Sequence, residues 1–136
     1  MTDTPLPAGP SVLVADDAHE ARLLIRRMLQ HAGLRVVEAR DGEQALAAWQ
    51  HERPVLTFLD IDMPGTNGFA ALIAIRATDP QAAVVIVSAT SSLANVQQAM
   101  QLGAMAFVVK PWSAKRMVEV LRQAAKATGD TRLLPD

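Results

Sequence analysis

The feature that most constrains this chain of 136 residues is an alternation of short strand-like runs with helical patterns. Five runs rich in β-branched residues predict strands, at residues 11–15, 34–39, 55–59, 83–88 and 106–109. After each run, apolar residues recur at three- and four-residue steps, as expected for one face of a helix. Five βα units in series predict an α/β fold, in which helices cover both faces of a parallel sheet.

The helical patterns predict which side chains face the core. The predicted core positions are Ala21, Leu24, Ile25, Met28, Leu29 and Ala32 in the first helix, Ala45, Leu46 and Trp49 in the second, Phe69, Leu72 and Ile73 in the third, Leu93, Val96 and Met100 in the fourth, and Met117, Val118, Leu121 and Ala125 in the fifth. Gly33, Gly103 and Gly129 predict helix ends, and Ser113 predicts an N-cap. Runs 55–59 and 83–87 are almost wholly apolar, which predicts central strands buried on both faces.

Composition excludes several classes of protein. Thirteen Lys and Arg residues balance 14 Asp and Glu residues, so the chain lacks the basic surface of a nucleic-acid binder. The absence of cysteine excludes disulfides and thiolate metal sites. No apolar run approaches the roughly 18 residues that span a bilayer, so we expect a cytoplasmic protein that contacts no membrane. We predict one domain at 11–128, a flexible N-terminal segment at 1–10 and a C-terminal tail at 129–136.

Polar side chains follow four of the five predicted strands. Asp16 and Asp17 follow the first strand, Asp60 ends the third, Ser88 ends the fourth and Lys110 follows the fifth. In open parallel sheets, ligands bind outside the carboxyl ends of the strands, near the point where strand order reverses. These side chains are therefore candidates for one functional site. The second strand contributes none of them, which is consistent with a place at the edge of the sheet, away from the site.

Three neighbouring carboxylates predict a cation site. They would repel one another unless a cation neutralised them or some protons were retained. A hard divalent ion such as Mg²⁺ suits carboxylate ligands, and Lys110 would add a further positive charge. An ionised carboxylate in such a site can attack phosphorus and form an acyl phosphate. The Ser88 hydroxyl would be placed to donate a hydrogen bond to the phosphoryl oxygens.

Together with Pro111, this set resembles the receiver domains of two-component response regulators, over about residues 11–128. The loop at 60–68, Asp-Ile-Asp-Met-Pro-Gly-Thr-Asn-Gly, is also of that family's type. The resemblance implies a doubly wound (βα)5 flavodoxin-like three-layer sandwich with strand order 2-1-3-4-5. It implies a module similar to the single-domain chemotaxis regulators, which is not a turnover enzyme and catalyses only its own phosphorylation and dephosphorylation.

The resemblance implies a role for each matching residue at the reacting centre. Asp60 would accept a phosphoryl group from a sensor histidine kinase or a histidine phosphotransfer protein, and Lys110 and Ser88 would complete the catalytic set. Mg²⁺, or Mn²⁺ in its place, would be held by Asp16, Asp17 and Asp60. Asp17 would be the more direct ligand, and the main-chain carbonyl of Asp62 would be another.

The resemblance also implies residues that respond to the phosphate or limit its lifetime. Ser88 and Phe107 occupy the switch positions, and the side chains of Asp62 and Thr90 would tune the access of water to the acyl phosphate. The chain departs from common family choices with Ser88 where Thr is also common, Phe107 where Tyr is common and Trp112 where Phe often follows Lys-Pro. Phe107 has no hydroxyl with which to report its inward or outward position by hydrogen bonding.

Output is expected at a surface away from the phosphate. In family terms this surface comprises the fourth helix, fifth strand and fifth helix, here about residues 93–100, 106–109 and 114–125. Phosphate would shift the population toward one pre-existing state and so change binding to a downstream effector protein or domain. The resemblance also allows a phosphorylation-dependent homodimer. From the balanced charge, we expect no direct contact with nucleic acid.

Two alternatives remain open from sequence. Asp60-Ile-Asp62 also matches the Asp-x-Asp of haloacid-dehalogenase-like phosphatases, but that motif is expected after the first strand and not the third. The chain could also be a receiver from a larger regulator whose effector domain is missing. If it is instead complete, its output requires a separate protein or onward phosphorelay.

Overall fold

A computed structural model describes residues 10–65 and 67–134. Five strands alternate with five helices, and a short 3-10 turn follows the last helix. The elements are β1 (Ser11–Ala15), α1 (His19–His31), β2 (Arg35–Ala39), α2 (Gly42–Glu52), β3 (Leu56–Asp60), α3 (Gly68–Thr78), β4 (Val84–Ser88), α4 (Leu93–Gln101), β5 (Ala106–Val109), α5 (Ala114–Thr128) and the turn Thr131–Leu133. Within the described ranges, no helix combines the length and the apolar character needed to cross a membrane.

The five strands form one parallel sheet in the order β2-β1-β3-β4-β5. This confirms the predicted strand order and places β2 at one edge and β5 at the other. The runs predicted to be central are β3 and β4, and every residue of both strands is buried. Strand order reverses between β1 and β3, so a crevice is expected at their carboxyl ends.

The sheet separates two hydrophobic cores, because successive side chains of a strand point to opposite faces. From β1, Val12 and Val14 pack with residues of α1 and α5, whereas Leu13 and Ala15 pack with residues of α2, α3 and α4. Each helix therefore covers one defined face. The arrangement confirms the three-layer sandwich.

The helix ends agree with the sequence signals. Ser113 caps α5 by accepting a hydrogen bond from the main-chain N–H of Arg116 at 3.1 Å. Gly129 ends α5 with a φ of +76°, a left-handed conformation that glycine adopts without steric cost. Asp41 and Asn67 cap α2 and α3 in the same way as Ser113 caps α5. These caps satisfy main-chain donors that a helix leaves unpaired.

Three helices are rotated relative to the predicted apolar faces. In α1 the buried positions are Arg22, Ile25 and Leu29, while Leu24 is exposed. In α3, Ile73 is exposed because Ala71, Leu72 and Ile75 fill the core side. In α4 the predicted core residues Leu93 and Met100 are exposed, and Ala99 is the fully buried position. The sequence pattern identified these helices but placed large apolar side chains inside that the structure leaves at the surface.

The two predicted flexible ends have different outcomes. The N-terminal segment at 1–10 lies outside the described residues except for Pro10, whose carbonyl accepts a hydrogen bond from the N–H of Arg35. The C-terminal tail at 129–136 differs from a free extension, because Thr131–Leu133 forms a 3-10 turn. Leu133 is 0% exposed and packs in the core beside α5. Burial of one leucine explains why this short segment folds back.

Candidate functional site

The site begins where β1 and β3 end. Asp60 is the last residue of β3 and is 2% exposed, and Asp16, directly after β1, is 1% exposed. Asp17 is exposed, at the mouth of the crevice. Since β1 and β3 are neighbours in the sheet, their carboxyl ends bring the three aspartates together. One carboxylate oxygen from each of them lies within 4.8 Å of those of the other two.

Lys110 supplies the positive charge in this cluster. Its Nζ donates a hydrogen bond to Asp60 Oδ2 at 2.8 Å and lies 2.6 Å from Asp16 Oδ2. The second contact is an ion pair that is not well directed for a hydrogen bond, and Asp16 Oδ2 is left without another partner among the described residues. The main-chain N–H of Lys110 donates to the Ser88 carbonyl at 2.8 Å, so the end of β4 positions the lysine.

Burial and charge shift two pKa values in the site. Burial raises the pKa of Asp16 above its ordinary value, and the nearby charge of Asp60 adds to the rise, although Lys110 and the N–H of Ala18 oppose it. Burial alone would lower the pKa of Lys110, but its contacts with Asp16 and Asp60 outweigh burial and raise that pKa. Lys110 is therefore a cation at neutral pH.

One main-chain donor and one side-chain donor fix the orientation of the Asp60 carboxylate. Its Oδ1 accepts a hydrogen bond from the N–H of Asp62 at 2.9 Å, and its Oδ2 accepts from Lys110. The side chain of Asp62 is exposed and is not part of the acidic cluster. Of the four residues predicted to hold a metal, the structure therefore brings together the carboxylates of Asp16, Asp17 and Asp60.

Ser88 lies beside the acidic cluster at the end of the next strand. Asp60 pairs with Val87 in the β3–β4 register, which places Ser88 one residue further along. Its hydroxyl oxygen is buried and accepts a hydrogen bond from the N–H of Thr90 at 3.1 Å. Within the described ranges its own proton has no acceptor. The Thr90 side chain is exposed, like that of Asp62.

Phe107 and Trp112 lie on opposite sides of the sheet. Phe107 in β5 is half-buried against the core of α2, α3 and α4. Trp112 is buried in the other core, with its ring centroid 5.3 Å from that of Phe58. Phe107 is thus partly exposed, whereas Trp112 is a packing residue two positions from Lys110.

Gly68, the first residue of α3, packs directly against the backbone of Asp60. A Cβ at this position would lie 2.6 Å from the Asp60 carbonyl oxygen and 2.9 Å from its carbonyl carbon. These atoms are backbone and cannot move aside as a flexible side chain would. The close approach explains why a glycine is needed at the end of the 60–68 loop.

We predict that Gly68→Ala destabilises the fold by about 1–3 kcal/mol, because the added methyl group overpacks the contact with the Asp60 backbone. The urea midpoint of unfolding measures the change. Ala70→Ser, which adds one atom to an exposed position in the same helical turn, is the matched control. Equal midpoints for the two variants would show that the contact relaxes without cost.

Sequence reasoning missed two charged residues behind the site. Arg22 occupies a buried position of α1, and its Nη1 donates a hydrogen bond to the main-chain carbonyl of Asp16 at 2.7 Å. Its Nε donates to Glu38 Oε1 at 3.1 Å, which connects β2 to the site indirectly. The expectation that β2 lies away from the site was therefore incomplete. The available signal in the sequence was the helical spacing, because Arg22 lies three residues before Ile25 and seven before Leu29 and so shares their face of the helix.

The donor set fits a hard divalent cation. The three carboxylates offer oxygen ligands and no nitrogen or sulfur, which suits Mg²⁺. Asp16 Oδ2 is buried, and the Lys110 that it contacts is shared with Asp60, so one positive charge offsets only part of the cost of burying two carboxylates. A cation at this point would offset both that cost and the mutual repulsion of the aspartates.

Comparison with known proteins assigns the class. The sequence profile of the response regulator receiver domain matches residues 12–122. This chain belongs to the response regulator receiver family. The chemotaxis protein CheY of Thermotoga maritima is 35% identical over 119 residues, which cover 87% of this chain and 99% of that protein. The fold accordingly is the flavodoxin-like sandwich of receiver domains, and the predicted resemblance is confirmed.

Receiver relatives include both small proteins and parts of larger regulators. The C4-dicarboxylate transport transcriptional regulatory protein DctD of Rhizobium meliloti is 33% identical over 117 residues, which cover 86% of this chain but 25% of that protein. Among solved structures, the receiver domain of NtrX from Brucella abortus matches with a TM-score of 0.80 at 33% identity, covering 85% of this chain and 98% of that one. This chain is thus similar to receivers found in both settings.

Proposed function

We propose that this receiver domain accepts a phosphoryl group on Asp60 from a phosphohistidine of a sensor histidine kinase or a histidine phosphotransfer protein. The observation that carries the proposal is the Asp60 carboxylate, buried at the end of β3 and held by Lys110 on one oxygen and the N–H of Asp62 on the other. A nucleophile needs such a fixed orientation, because proximity and alignment remove much of the barrier to transfer.

Transfer of the phosphoryl group from phosphohistidine to Asp60 would be a direct displacement at phosphorus. An Asp60 oxygen attacks phosphorus, a P–O bond forms and the P–N bond breaks, so that the donor imidazole leaves with the electron pair. The product is an acyl phosphate. Lys110, already paired with Asp60, would remain beside the new phosphate and offset its charge. The Ser88 hydroxyl would donate to a phosphoryl oxygen.

We propose that Mg²⁺, or Mn²⁺ in its place, binds at Asp16, Asp17 and Asp60, with the Asp62 carbonyl as a further ligand. When bound, the ion neutralises charge on the phosphoryl oxygens. The supporting observation is the convergence of three carboxylate oxygens at this edge of the sheet. Hydrolysis of the acyl phosphate would return Asp60 to its starting state, and the exposed side chains of Asp62 and Thr90 would tune that rate. In this proposal the domain catalyses only its own phosphorylation and dephosphorylation.

We propose that the output surface is formed by α4, β5 and α5, with Ser88 and Phe107 as the switch. Leu93 and Met100 of α4 and Val109 of β5 are exposed at 71%, 48% and 36%. Large exposed apolar side chains that cluster on neighbouring elements are typical of protein-binding surfaces. Helix α4 has one fully buried residue, Ala99, so it is the helix whose position is most easily shifted.

The proposed setting follows from this function. The donor would be a cytoplasmic kinase domain or phosphotransfer protein, and the acceptor of the signal would be an effector protein or a linked effector domain. Phosphorylation-dependent dimerisation through the exposed apolar residues is part of the proposal. The haloacid-dehalogenase-like alternative is not supported, because Asp60 and Asp62 follow β3 and not β1.

Incubation with a small phosphodonor and Mg²⁺ tests the proposal. We expect the intact mass to rise by one phosphoryl group and the modified peptide to contain Asp60. No modification should form when the metal is chelated before the phosphodonor is added. Hydroxylamine, which cleaves acyl phosphates, should remove the group. Continuous turnover of phosphate esters without a stable modified species would instead favour a phosphatase.

A further inference from the structure

Arg22 is a buried charge that the proposed phosphorylation chemistry does not use. It is 7% exposed and lies on the same face of α1 as the core residues Ile25 and Leu29. Burying a guanidinium is costly unless its donors are paired, so its partners indicate what the residue is for. Those partners lie on three separate segments of the chain.

The guanidinium joins the site to the edge strand. Nη1 donates to the main-chain carbonyl of Asp16 at 2.7 Å, and Nε donates to Glu38 Oε1 on β2 at 3.1 Å. Nη2 lies 3.5 Å from His19 Nδ1 at the start of α1. Glu38 is itself held from the far side, since its Oε2 accepts from Arg26 Nη1 at 2.9 Å. The contacts with Glu38 and His19 therefore hold the Arg22 guanidinium in place independently of its bond to Asp16.

Besides the ion pair with Lys110, three hydrogen bonds hold the backbone and side chain of Asp16. Its N–H donates to the Ala39 carbonyl of β2 at 3.0 Å, and its Oδ1 accepts from the N–H of Ala18 at 2.9 Å. The third constraint is the bond from Arg22 to its carbonyl. That carbonyl belongs to the peptide group joining Asp16 to Asp17, and the plane of this group contains the two Cα atoms that carry the aspartate side chains.

We propose that Arg22 is a positioning residue that holds the Asp16–Asp17 peptide in the orientation that gathers the acidic cluster, and that it thereby sets the affinity of the cluster for Mg²⁺. The proposal rests on the proposed metal site. Mutual repulsion would drive the three carboxylates apart, and a rigid support behind the loop opposes that movement. Groups that orient metal ligands typically change metal affinity 10- to 100-fold when removed.

The support acts by geometry more than by charge. Glu38 carries one negative charge that Arg22 and Arg26 share, and Arg22 reaches Asp16 through its main-chain carbonyl and not through its carboxylate. Arg26 offers a matched control, because it contacts the same glutamate on the same helix but makes no hydrogen bond to the Asp16–Asp17 peptide. Arg22 is the more buried of the two, so a merely structural role would lower stability more in Arg22→Met but would leave the Mg²⁺ affinity of both variants equal.

The test compares Arg22→Met with Arg26→Met in a Trp49→Phe background, where Trp112 is the remaining tryptophan. Titration with MgCl2, followed by Trp112 fluorescence, measures the Kd for Mg²⁺. We expect Arg22→Met to raise this Kd about 10-fold or more and Arg26→Met to leave it close to that of the parent. Without metal, amide hydrogen exchange at Asp16 and Ala18, whose N–H groups donate to the Ala39 carbonyl and to Asp16 Oδ1, should speed up in Arg22→Met alone.

Two results would overturn the proposal. The first is an Arg22→Met variant that unfolds at a lower temperature but keeps the parent Kd and the parent exchange rates. The second is equal weakening of Mg²⁺ binding by both arginine variants. If Arg22→Met does not fold, Arg22→Lys takes its place and should raise the Kd above that of Arg26→Met, whereas equal Kd values for these two variants would overturn the proposal.

Failure of the proposed metal site is distinguishable from failure of the role of Arg22. A parent protein that binds no Mg²⁺ would contradict the metal site and with it the effect of Arg22 on affinity. Faster exchange at Asp16 and Ala18 in Arg22→Met would in that case still show that Arg22 holds the peptide. Normal Mg²⁺ binding by the parent together with unchanged exchange and unchanged Kd in Arg22→Met would contradict the Arg22 proposal alone.

Discussion

In the Asp60→Asn variant, a small phosphodonor with Mg²⁺ adds no phosphoryl group. The amide has nearly the shape of the carboxylate and can still accept the hydrogen bond from the N–H of Asp62, so the fold is retained. The amide lacks the ionised oxygen that attacks phosphorus, so the substitution removes the nucleophile itself. Intact-mass measurement over time gives the result directly, and circular dichroism checks that the variant is folded.

Asp79→Asn is the matched control for this loss. Asp79 is the C-cap residue that follows α3, and its Oδ1 accepts a hydrogen bond from the N–H of Gln81, which an asparagine oxygen can also accept. The same chemical change away from the acidic cluster should leave phosphorylation at the parent rate. Modification of Asp60→Asn at that rate would place the phosphate elsewhere in the chain and refute the assignment.

Lys110→Ala should slow phosphorylation by about 100-fold or more, the typical cost of removing one preorganised electrostatic contact to developing charge. The lysine pairs with two buried carboxylates, Asp16 and Asp60, and its side chain is 23% exposed. Its removal leaves those carboxylates facing each other without compensation. The rate of mass gain under saturating phosphodonor measures the effect.

Lys115→Ala controls for loss of a positive charge, because Lys115 is exposed in the first turn of α5. It should be phosphorylated as the parent is. Circular dichroism separates the outcomes for Lys110→Ala. A folded protein with slow modification supports the role of Lys110 at the reacting centre, whereas an unfolded protein indicates a structural lysine, and a folded protein modified at the parent rate contradicts the prediction.

The sheet was predictable because its signals are local. Runs of β-branched residues fix the strands, and the almost wholly apolar composition of β3 and β4 fixes their central place. Asp16, Asp60 and Lys110 were predictable for a related reason. Parallel strands bring their carboxyl ends to one edge, so residues distant in sequence become neighbours once strand order is known.

The orientation of the helices was less predictable. Apolar periodicity predicts that a helix has an apolar face. It does not predict how the helix is rotated about its axis against the sheet, because that depends on the space between helix and sheet. In α4, the small residue Ala99 takes the buried position and leaves Leu93 at the surface. In α1, Arg22 takes a buried position because Glu38 and the Asp16 carbonyl satisfy its donors, and that pairing joins residues from separate elements.

The buried Leu133 has a practical consequence for where this domain can be cut or joined. A chain shortened to Thr128 would keep every strand and every α-helix, yet it would leave a leucine-sized void beside α5. Loss of a buried leucine side chain typically costs about 2–5 kcal/mol, a large part of the stability of a small domain. The independently stable unit therefore extends to the 3-10 turn, and a reporter joined after Leu134 leaves it whole.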